Sequence, residues 1–548
     1  MRRAFIFVLF AATAEAQTPA LTPVQIARID SAFSQYAAQD VPGCALGISS
    51  HDTVVLERAW GMANLETGTP ITPATIFEAG SVSKQFTAGA ILRLVQQGKV
   101  LLDDDVRKYL PELQQYDAPI TLRHMMNHTS GLRDWGTVMA IAGWPRGTRT
   151  YTQAHVLDIV ARQRGLNYPV GAEYLYSNSN YNLLAMVVER VSGKTLAEFT
   201  KAEFFDPLGM TSTGWRDDYA RIVRGRAQAY SGENKNWKLS MPFDNVYGNS
   251  SLLTTVGDLL KWSANSGHKR VGGEQFATMQ TTRGKLNSGK MIRYAGGVSV
   301  DSFQGTPEIA HDGATAGYRA WLARYPEAGY AVALLCNAGN VSPVTVGRHL
   351  ASVVLPEYKA PRVADVDTID ISVPVETLTH IAGYYRAVNS DDPLRLMLKD
   401  GRIMVEGGSR LVAVSANHFT SVNGRTHVMF APGERGSRGV IQRWTTGGDT
   451  TQLIPVEAPL PDTSLGDYVG RFYSEEADAT VQMLNDEKGF VMFTKPNTRF
   501  AMTPIYRDGF SGPGAYVKFT RGRDGKVDGF LVTSGRARNI RFDKVMAQ

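Results

Sequence analysis

Residues 81–97 read SVSKQFTAGAILRLVQQ. Val82, Phe86, Ala90, Ile91, Leu94 and Val95 recur at near-helical spacing, and Gly98 is a natural stop. Positions three apart share a helix face, so the Ser81 hydroxyl and the Lys84 amine are expected side by side. A serine hydroxyl is a weak nucleophile until a neighbouring base takes its proton. A lysine kept neutral by burial and by the positive end of a helix can be that base. Ser-x-x-Lys alone is a weak signal, since Ser266-Gly267-His268-Lys269 also fits. That second copy lies in a polar run without apolar periodicity and reads as loop.

Outward from this segment, the chain is expected to open with a helix over 22–41 and a hairpin over 43–64. Helices are predicted over 152–164 and 180–192, within a mostly helical region that runs to about 212. Residues 254–264 read as a further helix. Strand patterns return at 291–300, 318–325 and 330–336, followed by a helix near 344–355. Strands at both ends of a helical middle imply an α/β (α+β) domain whose single antiparallel sheet is assembled from both ends of the segment.

Around 356–374 the composition changes to short alternating strands broken by Gly, Asp and Asn. This tail repeats itself. Ala382-Gly383-Tyr384-Tyr385 corresponds to Val469-Gly470-Arg471-Phe472, and downstream pieces correspond at offsets of about 85–89 residues. Each copy has room for about six to eight strands, enough for a small barrel or sandwich. The organisation expected is a leader (1–16), a catalytic-type domain (17–360) and two β-barrels (375–456 and 462–548), with 455–461 (PVEAPLP) as linker.

The 548 residues, 43% hydrophobic and 20% charged, describe a globular multidomain chain. A net charge of +6 without any dense Lys/Arg run argues against nucleic acid as a partner. Arg2 and Arg3, an apolar run over 4–12 and Ala14-Glu15-Ala16 form a secretory leader with a cleavage site. Losing Arg2, Arg3 and Glu15 takes the formal charge from +6 to +5. The protein is therefore expected to be secreted or periplasmic. No cysteine follows the apolar run to take a lipid, and no later stretch approaches the length of a membrane span. The two cysteines, Cys44 and Cys336, read as buried free thiols, with a disulfide between the first and last strands of one sheet as the alternative.

A hydrolase built on Ser81 needs a second proton handler and a place for the developing oxyanion. Tyr176-Ser177-Asn178 offers a phenol and a carboxamide, although Tyr247-Gly248-Asn249 matches the same pattern. His311-Asp312-Gly313 opens a run returning to strand at Tyr318, and glycine there permits close backbone approach. His124 and His128 are four apart, but no acid lies between them, so neither a metal nor another cofactor is expected. No G-x-S-x-G elbow or G-x-G-x-x-G loop is present.

The order Ser-x-x-Lys, Tyr-x-Asn about 95 residues on and His-x-Gly about 135 further resembles the penicillin-recognising serine hydrolases. That group comprises class C β-lactamases, D,D-peptidases, D-aminopeptidases and family VIII esterases. Residues 77–87 (FEAGSVSKQFT) are similar to its nucleophile segment, and Asn127-His128-Thr129-Ser130-Gly131-Leu132 to its HTSGL loop. Residues 176–181 (YSNSNY) and Gly257-Asp258-Leu259-Leu260-Lys261-Trp262 resemble two more of its segments. The likeness covers about residues 25–355, and the tail resembles, more loosely, the two lipocalin-like barrels of bacterial D-aminopeptidases.

The resemblance implies a β-lactamase/transpeptidase-like fold and acyl transfer. Ser81 would be acylated, with Lys84 as its proton acceptor and Tyr176 as general acid or base. Asn178, His311 and Gly313 would contact the substrate, and the amides of Ser81 and Ala314 would hold the oxyanion. His128 would be a hydrogen-bonded loop residue. The third motif departs from Lys-Thr-Gly: His311 is mostly neutral at pH 7, and Asp312 could attract an ammonium. The activity implied is cleavage of small amides or peptides containing D-residues. A family VIII carboxylesterase, a D,D-peptidase or weak β-lactamase, and a penicillin-binding sensor with little turnover are the alternatives. In such a protein a barrel loop can reach the site and narrow it, so that the tail selects small substrates; the alternative is that the barrels stabilise the protein or bind partners. The expected partner is a small-molecule or short-peptide substrate, with the oligomeric state open.

Overall fold

A computed structural model describes residues 20–545 except 235, 359–369, 409, 434–437, 447, 488 and 495–497. The expected leader, and most of the segment joining the catalytic part to the barrels, lie outside the described residues. Six strands form an antiparallel sheet in the spatial order Ser299–Phe303, Thr306–Thr315, Tyr318–Tyr325, Tyr330–Cys336, Cys44–Ser50, Thr53–Trp60. The sheet is thus closed from both ends of the catalytic segment, as expected.

Its two faces follow the period of two. Ala45, Ala333, Leu335 and Leu322 belong to the core under the Val256–His268 helix side, whereas Leu46, Ile48, Val332 and Leu334 face the Pro23–Ala32 and Pro343–Val354 helices. The opening helix ends at Ala32, short of the expected 41, and a 3-10 turn Ser34–Tyr36 follows. Cys44 stands opposite Cys336 in register and the two are joined as a disulfide, which corrects the free-thiol expectation. Periodicity places each cysteine in a strand, but only the pairing of those strands brings the sulfurs together.

Two further expectations change. His311-Asp312-Gly313 does not precede a strand; it lies inside the ten-residue strand Thr306–Thr315. That strand contains proline and glycine and forms because both neighbours pair with it, from Ser299↔Ala310 on one side to Thr315↔Tyr318 on the other. Residues 291–298 are correspondingly irregular. Ser266 is in the last turn of the Val256–His268 helix, not in a loop, and Lys269 caps it in the left-handed region at φ 53°. This second Ser-x-x-Lys is a surface helix end, where Lys269 pairs with Glu274.

The tail forms two nearly closed antiparallel barrels, with eight strands in the first and nine in the second among the described residues. The second therefore exceeds the expected six to eight. In each barrel the first strand pairs with the last, Tyr384↔Val456 and Phe472↔Lys544. Among the described residues no helix is long and apolar enough to cross a membrane.

Candidate active site

Ser81 lies in a 3-10 turn, Gly80–Ser83, and the α-helix proper begins at Lys84 and runs to Gln96. In a 3-10 turn the side chains at i and i+3 eclipse, so this local change brings Ser81 and Lys84 closer together than an α-helix would. Lys84 Nζ lies 3.1 Å from Ser81 Oγ, 2.9 Å from Asn178 Oδ1 and 2.7 Å from the Asn249 carbonyl. The amine is fully buried, and burial, reinforced by the Arg536 charge, holds its pKa well below the ordinary lysine range. A neutral amine has two hydrogens and one lone pair. Asn178 and Asn249 accept the hydrogens, and the lone pair is left for the Ser81 hydroxyl.

Tyr176 completes the triangle. Lys84 Nζ is 4.7 Å from its ring centroid. Its hydroxyl is buried and makes no well-formed hydrogen bond among the described residues. Burial raises its pKa, and the Ser81 hydroxyl and Arg536 partly offset that rise. A buried phenol beside the nucleophile, its hydroxyl not locked in a well-formed hydrogen bond, is placed to give a proton to a reacting group. Asn178 opens the Asn178–Ser192 helix; its amide donates to Asp134 Oδ2 (2.7 Å), and its own Oδ1 is taken by Lys84.

On the opposite wall, strand and nucleophile turn meet backbone to backbone. A Cβ on Gly313 would stand 2.1 Å from Ala79 O and 3.1 Å from Ser81 N, and one on Gly80 (φ 51°) 2.7 Å from Ala314 N. Glycine at both positions is therefore what lets the Ser81 and Ala314 amides be neighbours. His311 is placed beside the site but faces inward: its Nε2 is 2.8 Å from Tyr294 Oη and its Nδ1 2.6 Å from Asp312 O. Burial lowers its pKa to about 4, so the ring is neutral and both nitrogens are engaged. It presents no cation. Asp312 next to it is exposed.

His128 is a buried loop residue at φ 57°. Ser177 N and Asn180 Nδ2 both approach its Nδ1 at 3.2 Å, so the ring proton is on Nε2, enclosed by the Tyr176 and Tyr294 rings. His124 is spent elsewhere, accepting from Thr121 N in a capping box.

Three participants escaped the motif reading. Asn249 belongs to the second Tyr-x-Asn match, which spacing alone could not separate from chance. Asp134, just past the HTSGL loop, caps the Trp135–Ile141 helix as well as holding Asn178. Arg536 comes from the second barrel. It stands at the tip of the hairpin joining Val527–Ser534 to Ala537–Lys544, with its guanidinium carbon 4.6 Å from the Tyr176 ring centroid. No sequence signal links positions 536 and 176.

Comparison with known proteins bears on the family and the fold. A family model described as Beta-lactamase matches residues 29–354. A D-aminopeptidase of Gluconobacter oxydans (strain 621H) is 25% identical over 439 residues, spanning 78% of this chain and 82% of the relative. A D-aminopeptidase of Brucella anthropi is 28% identical over 303 residues, about half of each protein (53% and 55%). Among solved structures, an octameric penicillin-binding protein homologue from Pyrococcus abyssi covers 78% of this chain and 100% of its own at TM-score 0.55 and 21% identity. A D-amino acid amidase from Ochrobactrum anthropi SV3 covers 60% of this chain and 98% of its own at TM-score 0.50 and 19% identity. At these identities the solved structures speak for the fold.

Proposed function

This chain belongs to the β-lactamase family and is a serine hydrolase, and on that premise we propose that it cleaves small D-residue-containing amides or peptides through an acyl-enzyme on Ser81. The observation that carries the mechanism is the buried Lys84 amine at 3.1 Å from Ser81 Oγ with its two other partners already in place. Ser81 Oγ attacks the scissile carbonyl as its proton passes to the Lys84 lone pair. The amides of Ser81 and Ala314 stabilise the oxyanion. When the carbon–nitrogen bond breaks, Tyr176 gives the leaving nitrogen a proton, and Lys84 re-protonates the phenolate. Water then releases the acyl group by the same path in reverse.

The D-residue preference is supported by the D-aminopeptidase relatives and by Asp312, an exposed carboxylate at the site that can receive a substrate ammonium. Export is supported by the sequence of residues 1–16 and is compatible with the Cys44–Cys336 disulfide. Purified protein should be assayed on D-alanyl p-nitroanilide, p-nitrophenyl acetate and a chromogenic cephalosporin, alongside Ser81→Ala. The proposal expects turnover of the anilide and loss of covalent fluorophosphonate labelling in the variant. Preference for the ester by orders of magnitude would make the protein an esterase of this fold.

A further inference from the structure

The second barrel brings more than bulk to the site. Arg536 occupies a two-residue turn, Gly535-Arg536, between strands whose last register pair is Ser534↔Ala537. The catalytic part grips that turn from outside. Asp134 N and Asn167 Nδ2 both donate to Arg536 O, at 3.1 and 3.0 Å, and Arg133 donates to Arg538 O (2.9 Å) and Asn539 O (3.1 Å). The backbone under the guanidinium is thus held before any ligand arrives.

The guanidinium itself, exposed on the Tyr176 side of the cleft, pairs with no carboxylate among the described residues. Neighbouring arginines are committed: Arg146 to Asp244 at 3.3 Å, Arg538 to Glu173 at 2.9 Å and Arg133 to Glu476 at 2.7 Å. His311 cannot substitute, because Tyr294 and the Asp312 carbonyl occupy both its nitrogens. Among the described residues, Arg536 is thus a cation on the Tyr176 side of this site that no carboxylate holds.

We propose that Arg536 is a specificity residue that binds the free carboxylate of the leaving residue, so that the preferred substrates are dipeptides. The inference rests on the reading above, in which Tyr176 faces the leaving nitrogen. An α-carboxylate carbon lies two bonds, about 2.5 Å, from that nitrogen. A guanidinium lying over the Tyr176 ring is therefore within its reach, and its two-pronged donor set matches a carboxylate. With Asp312 receiving the ammonium, the two ends of a short zwitterion meet opposite charges.

The test uses the full-length protein and two matched pairs: D-alanyl-D-alanine against its C-terminal amide, and acetoxyacetate against acetoxyacetamide. Ser81 acylation is followed by intact mass and turnover by kcat/KM. Wild type is expected to favour the charged member of each pair. Arg536→Ala should cut the charged-to-neutral ratio by about tenfold or more, chiefly through KM, and Arg536→Lys should restore part of it. Raising the salt concentration should lower the same ratio in wild type, a readout that needs no variant. A ratio unchanged by Arg536→Ala, or a wild-type preference for the neutral members, overturns the proposal. If only the acetoxy pair acylates Ser81 and keeps its Arg536-dependent ratio, the D-peptide reading fails while Arg536 stands. If neither pair acylates Ser81, both fall.

Discussion

Arg133 and Glu476, 343 residues apart in the chain, form a buried ion pair with Nη1 and Oε1 at 2.7 Å. Glu476 Oε1 also accepts the amides of Arg164 and Gly165, at 2.7 and 3.2 Å. The second barrel is therefore fastened beside the site by a charge cluster whose members are each satisfied only when the two parts are docked. The same Arg133 holds the hairpin that carries Arg536.

Removing one partner of such a pair strands the other charge away from water. Glu476→Gln should cost about 3–5 kcal/mol, read as a lower urea midpoint. Glu475→Gln, which touches only the exposed Arg164 pair at 2.6 Å, should leave the midpoint within error. Equal midpoints for the two variants would show that the barrel is not held this way.

Lys84 works as a base only when neutral. Because burial lowers its pKa, the neutral form is present at lower pH than for an exposed lysine, and acylation should rise with pH through that lowered value and then level. Lys84→Met and Tyr176→Phe are each expected to lose about 10²–10⁴ in kcat/KM. The acid limb should vanish in Lys84→Met; its persistence there would assign it to another group.

His311 affects stability rather than charge recognition. Its pKa falls from 6.5 in the unfolded chain to about 4 in the fold, so between these values the unfolded state binds more protons. Stability from this group is complete above pH 6.5 and is lost as pH falls towards 4, by about 3 kcal/mol at 1.36 kcal/mol per pH unit. His128 is lowered in the same direction and adds to the slope. His311→Gln should flatten the curve in that window without abolishing it, as measured by denaturant melts from pH 4 to 7.

The disulfide links the two ends of the catalytic segment across 292 residues. Cys44→Ser with Cys336→Ser should destabilise the protein by about 2–4 kcal/mol. Reductant should lower the melting temperature of the wild type and leave that of the double variant unchanged. Free-thiol titration of two per chain in oxidised, denatured protein would contradict the pairing.

What could be read along the chain was whatever depends on short separations. Ser81 and Lys84 are legible because one turn joins them, and Tyr330–Cys336 because seven consecutive residues, six of them buried, declare a strand. The Thr306–Thr315 strand was hidden, since its proline, histidine and glycine argue locally against the pairing that its neighbours impose. His311 shows the limit from the other side: the sequence singles it out, but the use of both its nitrogens is set by Tyr294 and by its own strand.

The linear order of residues thus determines the sheet's alternation, the nucleophile turn and the two-barrel repeat, because hydrophobic periodicity and turn chemistry act over a few residues. Tertiary structure alone decides the protonation of Lys84, the bond between the cysteines and the presence of Arg536 over Tyr176. These depend on desolvation and on distances of a few ångströms between groups hundreds of residues apart, and neither quantity exists until the chain has packed.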